Sequence, residues 1–326
     1  MVCLAYEGYS WYSAPGSSPW VPSSSAWYFK IFSYPPVFFV FLSHVTQNFV
    51  CKKRIIGLFE AIVEIETSLE SLSSVEYVHA GRQRKILVFM MMVKVFNLCG
   101  IQDCWTYEWS CLKVVKLLAV VMSRITLVMI KFQFAITLHA LRDLVLNMTT
   151  LIRRGSKHTG SPVTCLDVER LLRLYNRICS VSQTVNDFYS YQLLGVIVMD
   201  YVNINVNAYR IVTYFSSFFN DEEPLSLFWL FVRFMGFAQS TFVLFIIVGA
   251  CAALQNAAEQ FNKALYRQVV SGVNHELQYN EILSAHLTVA RSPIFTACGF
   301  FYLNYEMIYS VCASNVTFIV LALQMF

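Results

Sequence analysis

Apolar residues along this 326-residue chain gather into long runs, separated by shorter polar stretches that carry most of the charge. A bilayer core about 30 Å thick needs about 20 apolar helical residues to cross it. Six stretches meet or approach that length, at about 27–50, 86–101, 114–138, 191–218, 225–254 and 293–326. Unbroken apolar runs such as Phe242 to Leu254 lack the alternation of a barrel strand, so helices are expected throughout. The pattern predicts an all-α, polytopic helical membrane protein. Residues 1–26 read as a Ser-, Pro- and aromatic-rich tail without the basic and apolar regions of a signal peptide, and 27–326 as the transmembrane domain.

The polar stretches are patterned too. Ile55, Leu58, Ile62, Ile65 and Leu69 recur at helical spacing, with Glu60, Glu64 and Glu66 elsewhere on the wheel, which predicts an amphipathic helix over 55–72. Residues 139–189 form a polar helical stretch interrupted by a linker at Gly155 to Pro162, and 255–291 form a second. Pro35 and Pro36 kink the first span near its start. The last apolar stretch is interrupted around Asn304 to Glu306 and again at Ser314-Asn315, so it is expected in two pieces.

Composition fits a membrane protein: 57% of residues are hydrophobic and 13% charged, more apolar surface than one aqueous core buries. The net charge of +4 lies in loops rather than on one basic face, which argues against a nucleic-acid partner. Sixteen of the 24 Lys and Arg residues fall in 52–85, 142–177 and 263–291, so these loops are expected in the cytosol and the C-terminus outside. The sequons at Asn147 and Asn315 then lie away from the lumen and are expected to stay unmodified. Ten cysteines show neither paired nor metal-site spacing; Cys104 and Cys111 have room for a bridge if their loop is outside. No cofactor or metal is implied. No nucleophile, base and orienting group stand together as an enzyme needs.

The segment Phe295 to Asn304, followed by Thr317-Phe-Ile-Val-Leu-Ala-Leu-Gln324, resembles the last transmembrane segment of insect gustatory receptors. That family ends in Thr-Tyr, five mostly apolar residues, then Gln-Phe. Thr317 and Gln324 match at the right spacing, Phe318 replaces the tyrosine, and Met325 stands between Gln324 and Phe326. Glu60 to Leu72 resembles the cytosolic helix after the family's second span, and Leu171 to Leu194 the entry to its fifth. The resemblance covers about Trp27 to Phe326. It aligns 27–50 with the second of seven spans, so six of the seven are recognisable and the chain is expected to be a shortened member or part of a longer product.

The resemblance implies a tetrameric, ligand-gated, non-selective cation channel of the sensory-neuron plasma membrane, homomeric or joined by other gustatory subunits, with no G-protein mechanism. The last helix would line the pore. On that alignment Gln324 is either an ion-coordinating amide or an interfacial glutamine, and Leu321 or Phe326 supplies the constriction. Thr317 reads as a helix cap, an interhelical hydrogen bond or part of the pore; Phe318 lacks the hydroxyl of the family's tyrosine. Lys94, Arg124, Lys131, Arg210 and Arg233 are costly inside spans; Arg124 and Arg233, near the middles of theirs, read as partners of a ligand hydroxyl or of Asp200, and Lys131 as a residue that snorkels. Candidates for a small polar or alkaloid tastant are Arg124, Asp200, Asn203, Asn207, Trp229 and Gln239, each with interhelical hydrogen bonding as its alternative role. A secondary transporter is the competing class, because polar residues in broken helices also build a midplane substrate site.

Overall fold

The computed structural model describes residues 52–72, 111–155, 165–219, 227–270, 279–289 and 292–324. The tail 1–26, the expected spans 27–50 and 86–101, and the loop holding Cys104 lie outside the described residues. Those described form helices α1 (Lys52–Leu72), α2 (Cys111–Gly155), α3 (Cys165–Phe219), α4 (Leu227–Val270) and α5 (Glu281–Val289). A two-stranded hairpin, β1 (Thr296–Ala297) and β2 (Phe301–Tyr302), and helix α6 (Tyr305–Gln324) follow.

Helices α2, α3 and α4 contain 45, 55 and 44 residues. At 1.5 Å per residue each is roughly twice as long as a bilayer core is thick. Their apolar and polar halves are ordered so that three successive helices of alternating direction bring the polar halves to one end. That end is where the packing is densest. Phe134, Leu138, Leu141, Val145, Met148 and Ile152 of α2 are buried at alternating steps of three and four. They meet Leu172, Tyr175, Ile178 and Val185 of α3 and Leu254, Ala258, Phe261 and Leu265 of α4 in one continuous core. Each large side chain buried there stabilises the fold by about 1.5–3 kcal/mol.

The apolar halves behave differently. Phe231, Phe234, Phe242 and Phe245 of α4 and Val198 and Phe215 of α3 are exposed. On a helix of this length such a surface belongs against lipid. Among the described residues, Arg233–Val270 is the one stretch long and apolar enough to cross a membrane by length and composition, and Tyr305–Leu321 is a shorter apolar helix.

Polar contacts lock the smaller elements onto this frame. Glu64 of α1 accepts both guanidinium nitrogens of Arg177 of α3, at 2.7 and 2.6 Å, and that hydrogen bonding holds the Glu64 carboxyl below its ordinary range. Gln268 of α4 donates to the carbonyl of Ile152 at 3.0 Å, satisfying one of the orphan acceptors in the last turn of α2. Asn280 caps α5 through the Leu283 N–H and reaches Glu169 of α3. His286 of α5 contacts Asn262 of α4 and stands edge-on to Tyr175, which itself stacks on Phe261 at 4.5 Å.

The last segment corrects the sequence-based expectation twice. Residues 293–304 form an extended hairpin rather than a helical half-span. Thr296 pairs with Tyr302 and Ala297 with Phe301. Cys298 and Gly299 take positive φ of 53° and 73°, and the Phe300 N–H donates to the Ala297 carbonyl, as in the tight turns that match strand twist. Glycine occupies that region at no steric cost, whereas Cys298 is held there.

The second correction concerns Ser314-Asn315, where no break occurs. Helix α6 is continuous for 20 residues, and its polar side chains at that point find donors and acceptors without opening it: Ser314 meets Tyr201 of α3. Asn315 donates to the Val311 carbonyl and Thr317 to that of Ala313, each four residues back. The break at Asn304 to Glu306 does fall where α6 begins, with Asn304 Oδ1 capping the Met307 N–H at 3.2 Å.

Candidate functional site

Helix α3 carries Asp200, Asn203 and Asn207 at i, i+3 and i+7, which places them within about 60° of one another around the helix. Asp200 is 3% exposed. Both its oxygens accept from Lys131 Nζ of α2, at 2.7 and 2.6 Å. Lys131 is 6% exposed, between the buried Ile130 and Phe132. This corrects two expectations: Lys131 does not snorkel, and it takes both oxygens of Asp200, the role expected of Arg124 or Arg233. An unpaired charge in an apolar bundle is so costly that the cation able to reach the carboxylate closes on it.

Asn207 donates to the Asn203 carbonyl at 2.8 Å, and its side chain lies against Gly236 of α4. A Cβ at Gly236 would come within 3.2 Å of Asn207 Nδ2, so this glycine permits the close approach of α3 and α4. Asn203 and Gln239 are half-buried. Arg124 and Trp229 stand on α2 and α4; their side chains lie outside the described residues. The fold thus brings Asp200 and Asn207 against α2 and α4, respectively, with Gln239 three residues beyond the glycine on which Asn207 rests.

The candidate pore residues lie on α6. Met307, Ile308 and Asn315 are buried toward the bundle, with Val311 half-buried beside them. Thr317, Leu321 and Gln324, spaced i, i+4 and i+7, share another, exposed face; Leu321 is 54% exposed. Phe318, seven residues on from Val311, is half-buried on the same face as Val311 and Asn315. Phe326 lies outside the described residues.

Two sets of contacts that sequence reasoning missed join these regions. Tyr201, next to Asp200 and about 100° further around α3, meets Ser314 of α6 through a 2.6 Å hydroxyl pair. α3 is therefore tied to α2 by one residue and to α6 by the next. Nearer the polar end, Asn186 Oδ1 accepts the Thr296 N–H at 2.9 Å, and Ser190 Oγ accepts the Cys298 N–H at 2.6 Å. Gln255 of α4 donates to the Pro293 carbonyl, and Phe295 is buried edge-on to Phe134 of α2. The hairpin leading into α6 is thereby held by all three long helices. A sequence signal existed for part of this: Asn186 stands in the stretch that resembles the family, and Ser314 in the supposed break.

Long helices with a common packed end, apolar flanks at the other, and a final helix hung from a hairpin define a recognisable architecture. The profile of the 7tm chemosensory receptor family matches residues 26–325. The chain belongs to that family. The fold agrees: the structure of the insect olfactory receptor OR5 from Machilis hrabei in complex with eugenol superposes with a TM-score of 0.54 at 11% identity, covering 84% of this chain and 69% of that one. A structure of OR5 from Machilis hrabei gives 0.51 at 14% identity, covering 88% and 80%. No curated protein sequence matches this chain. These chemosensory receptors are multi-pass membrane proteins of the insect chemoreceptor superfamily, and membership makes this chain a receptor rather than an enzyme.

Proposed function

We propose that this chemosensory receptor is a gustatory-type subunit of a tetrameric, tastant-gated, non-selective cation channel of the sensory-neuron plasma membrane. The observation that carries the reading is the exposed face of α6 bearing Thr317, Leu321 and Gln324, which the described helices leave uncovered. Four such faces around an axis would form a pore in which the Gln324 amides replace part of an ion's water and Leu321 supplies an apolar constriction. Lipid would take the exposed aromatic flank of α4. The Thr317 to Gln324 spacing supports the gustatory branch, and the distribution of basic residues supports a C-terminus outside the cell.

The ligand site in this reading lies between α2, α3 and α4, around Asp200, Asn203, Asn207 and Gln239, with Arg124 and Trp229 contributing from α2 and α4. Tyr201 and Ser314 then form a direct polar link from α3, one residue beyond Asp200, to the pore helix. The test is electrical. Purified protein in a planar bilayer should show unitary cation conductance evoked by a small-molecule ligand, and Gln324→Ala should change selectivity or block. Stoichiometric solute flux without unitary events would establish a transporter instead.

A further inference from the structure

The expected spans contain an unbalanced set of charges. Between 27 and 50, 86 and 101, 114 and 138, 191 and 218, and 225 and 254, Asp200 is the only carboxylate, whereas Lys116, Arg124, Lys131, Arg210 and Arg233 all lie on α2, α3 and α4. In the last stretch, Glu306 sits in the first turn of α6 and accepts from Asn304 at 3.1 Å. Asp221, Glu222 and Glu223 belong to the connection between α3 and α4, not to a span.

An ammonium ligand entering such a site must shed water, which is costly unless a carboxylate or a suitable aromatic face replaces it. Among the described residues of α2, α3 and α4 within the apolar spans, Asp200 is the one carboxylate, and Lys131 engages both of its oxygens with little surface left on either residue. That leaves a cation only the weaker return of an aromatic face. We propose that the site between α2, α3 and α4 takes neutral hydrogen-bonding molecules such as phenols and alcohols and rejects ammonium ligands, with Lys131 as the specificity-determining residue. This rests on the receptor reading above, and it narrows the ligand class by removing cationic alkaloids from it.

The size of the effect follows from Coulomb's law. A monocation about 6 Å from an unmasked Asp200, at an effective dielectric constant of about 20, gains roughly 100-fold in affinity. Lys131→Gln removes the positive charge while keeping a donor for Asp200. Ligand-evoked current would be measured for matched neutral and cationic probes, eugenol and related phenols and alcohols against 2-phenylethylammonium and related amines of similar size, with surface protein quantified. Wild type should respond to neutral probes at concentrations at least about 100-fold below any response to amines. Lys131→Gln should lower the half-maximal concentration for amines relative to that for neutral probes by about 100-fold. Adding Asp200→Asn should abolish that gain.

Equal potency of both classes on wild type overturns the proposal, as does a surface-expressed Lys131→Gln with no gain for amines. If that variant does not reach the surface, the wild-type comparison decides alone. Current from no probe, with wild type at the surface, removes the receptor-channel reading and this inference with it.

Discussion

Breaking the Lys131–Asp200 pair one partner at a time should destabilise the bundle far more than removing both charges together. Both side chains are almost completely buried, and the contact is bidentate at 2.6 and 2.7 Å. Lys131→Met strands a carboxylate, and Asp200→Asn strands an ammonium, in surroundings that include Ile130, Phe132 and Met199. Each single change is expected to cost about 3–5 kcal/mol. The double variant, with two neutral side chains of similar volume, should return to within about 1–2 kcal/mol of wild type. A coupling energy of at least about 4 kcal/mol follows, well beyond the scatter of about 0.3–0.5 kcal/mol seen for independent sites. Thermal unfolding in lipid nanodiscs is the assay, with single-variant losses on the order of 10 °C if each kcal/mol shifts the midpoint by roughly 2–4 °C. Additive single effects would refute the reasoning, because they would mean that each charge is solvated independently of the other.

Four further outcomes are expected. Asn304→Ala removes the cap of α6 and should cost about 1 kcal/mol, read as faster amide exchange at Met307. Ser190→Ala leaves the Cys298 N–H without its side-chain acceptor and should cost about 1–3 kcal/mol, seen as faster maleimide labelling of Cys298 with the neighbouring core unchanged. Gly236→Leu drives a side chain into Asn207 and should lower stability by about 1–3 kcal/mol, whereas Gly236→Ala, opposed mainly by a movable amide, should cost less. Glu64 has a lowered folded-state pKa, so its contribution is present above the unfolded value and is lost as pH falls through the folded one. Exchange protection of α1 should therefore weaken in acid, and Glu64→Gln should flatten that dependence.

Much of the helical layout was legible without coordinates. The linker at Gly155 to Pro162 falls between the end of α2 at Gly155 and the start of α3 at Cys165, and the amphipathic pattern at 55–72 became α1. Local propensity and apolar periodicity decide such features, because a helix closes its hydrogen bonds within itself. The stripes also foretold depth. Ile65 and Leu69, two positions of the α1 stripe, are fully buried.

The tertiary structure decided what joins what. Lys131 and Asp200 are 69 residues apart and Tyr201 and Ser314 are 113 apart, so their meeting depends on how each helix is rotated and how far it slides against its neighbours. No spacing rule contains that information, which is why Arg124 and Arg233 stood as the candidate partners of Asp200 and Lys131 was expected to snorkel. The hairpin at 296–302 was hidden for the same reason: its apolar composition suits a membrane helix, and the acceptors that take its Thr296 and Cys298 N–H groups are supplied by Asn186 and Ser190 on a distant helix. By itself, the sequence determined the bounds of α1 and the break between α2 and α3, since both follow from neighbours along the chain, but not the hairpin at 296–302. Packing determined which charge is masked, which face of α6 the bundle leaves uncovered, and how the candidate site is tied to it, since those depend on groups that meet only when the helices do.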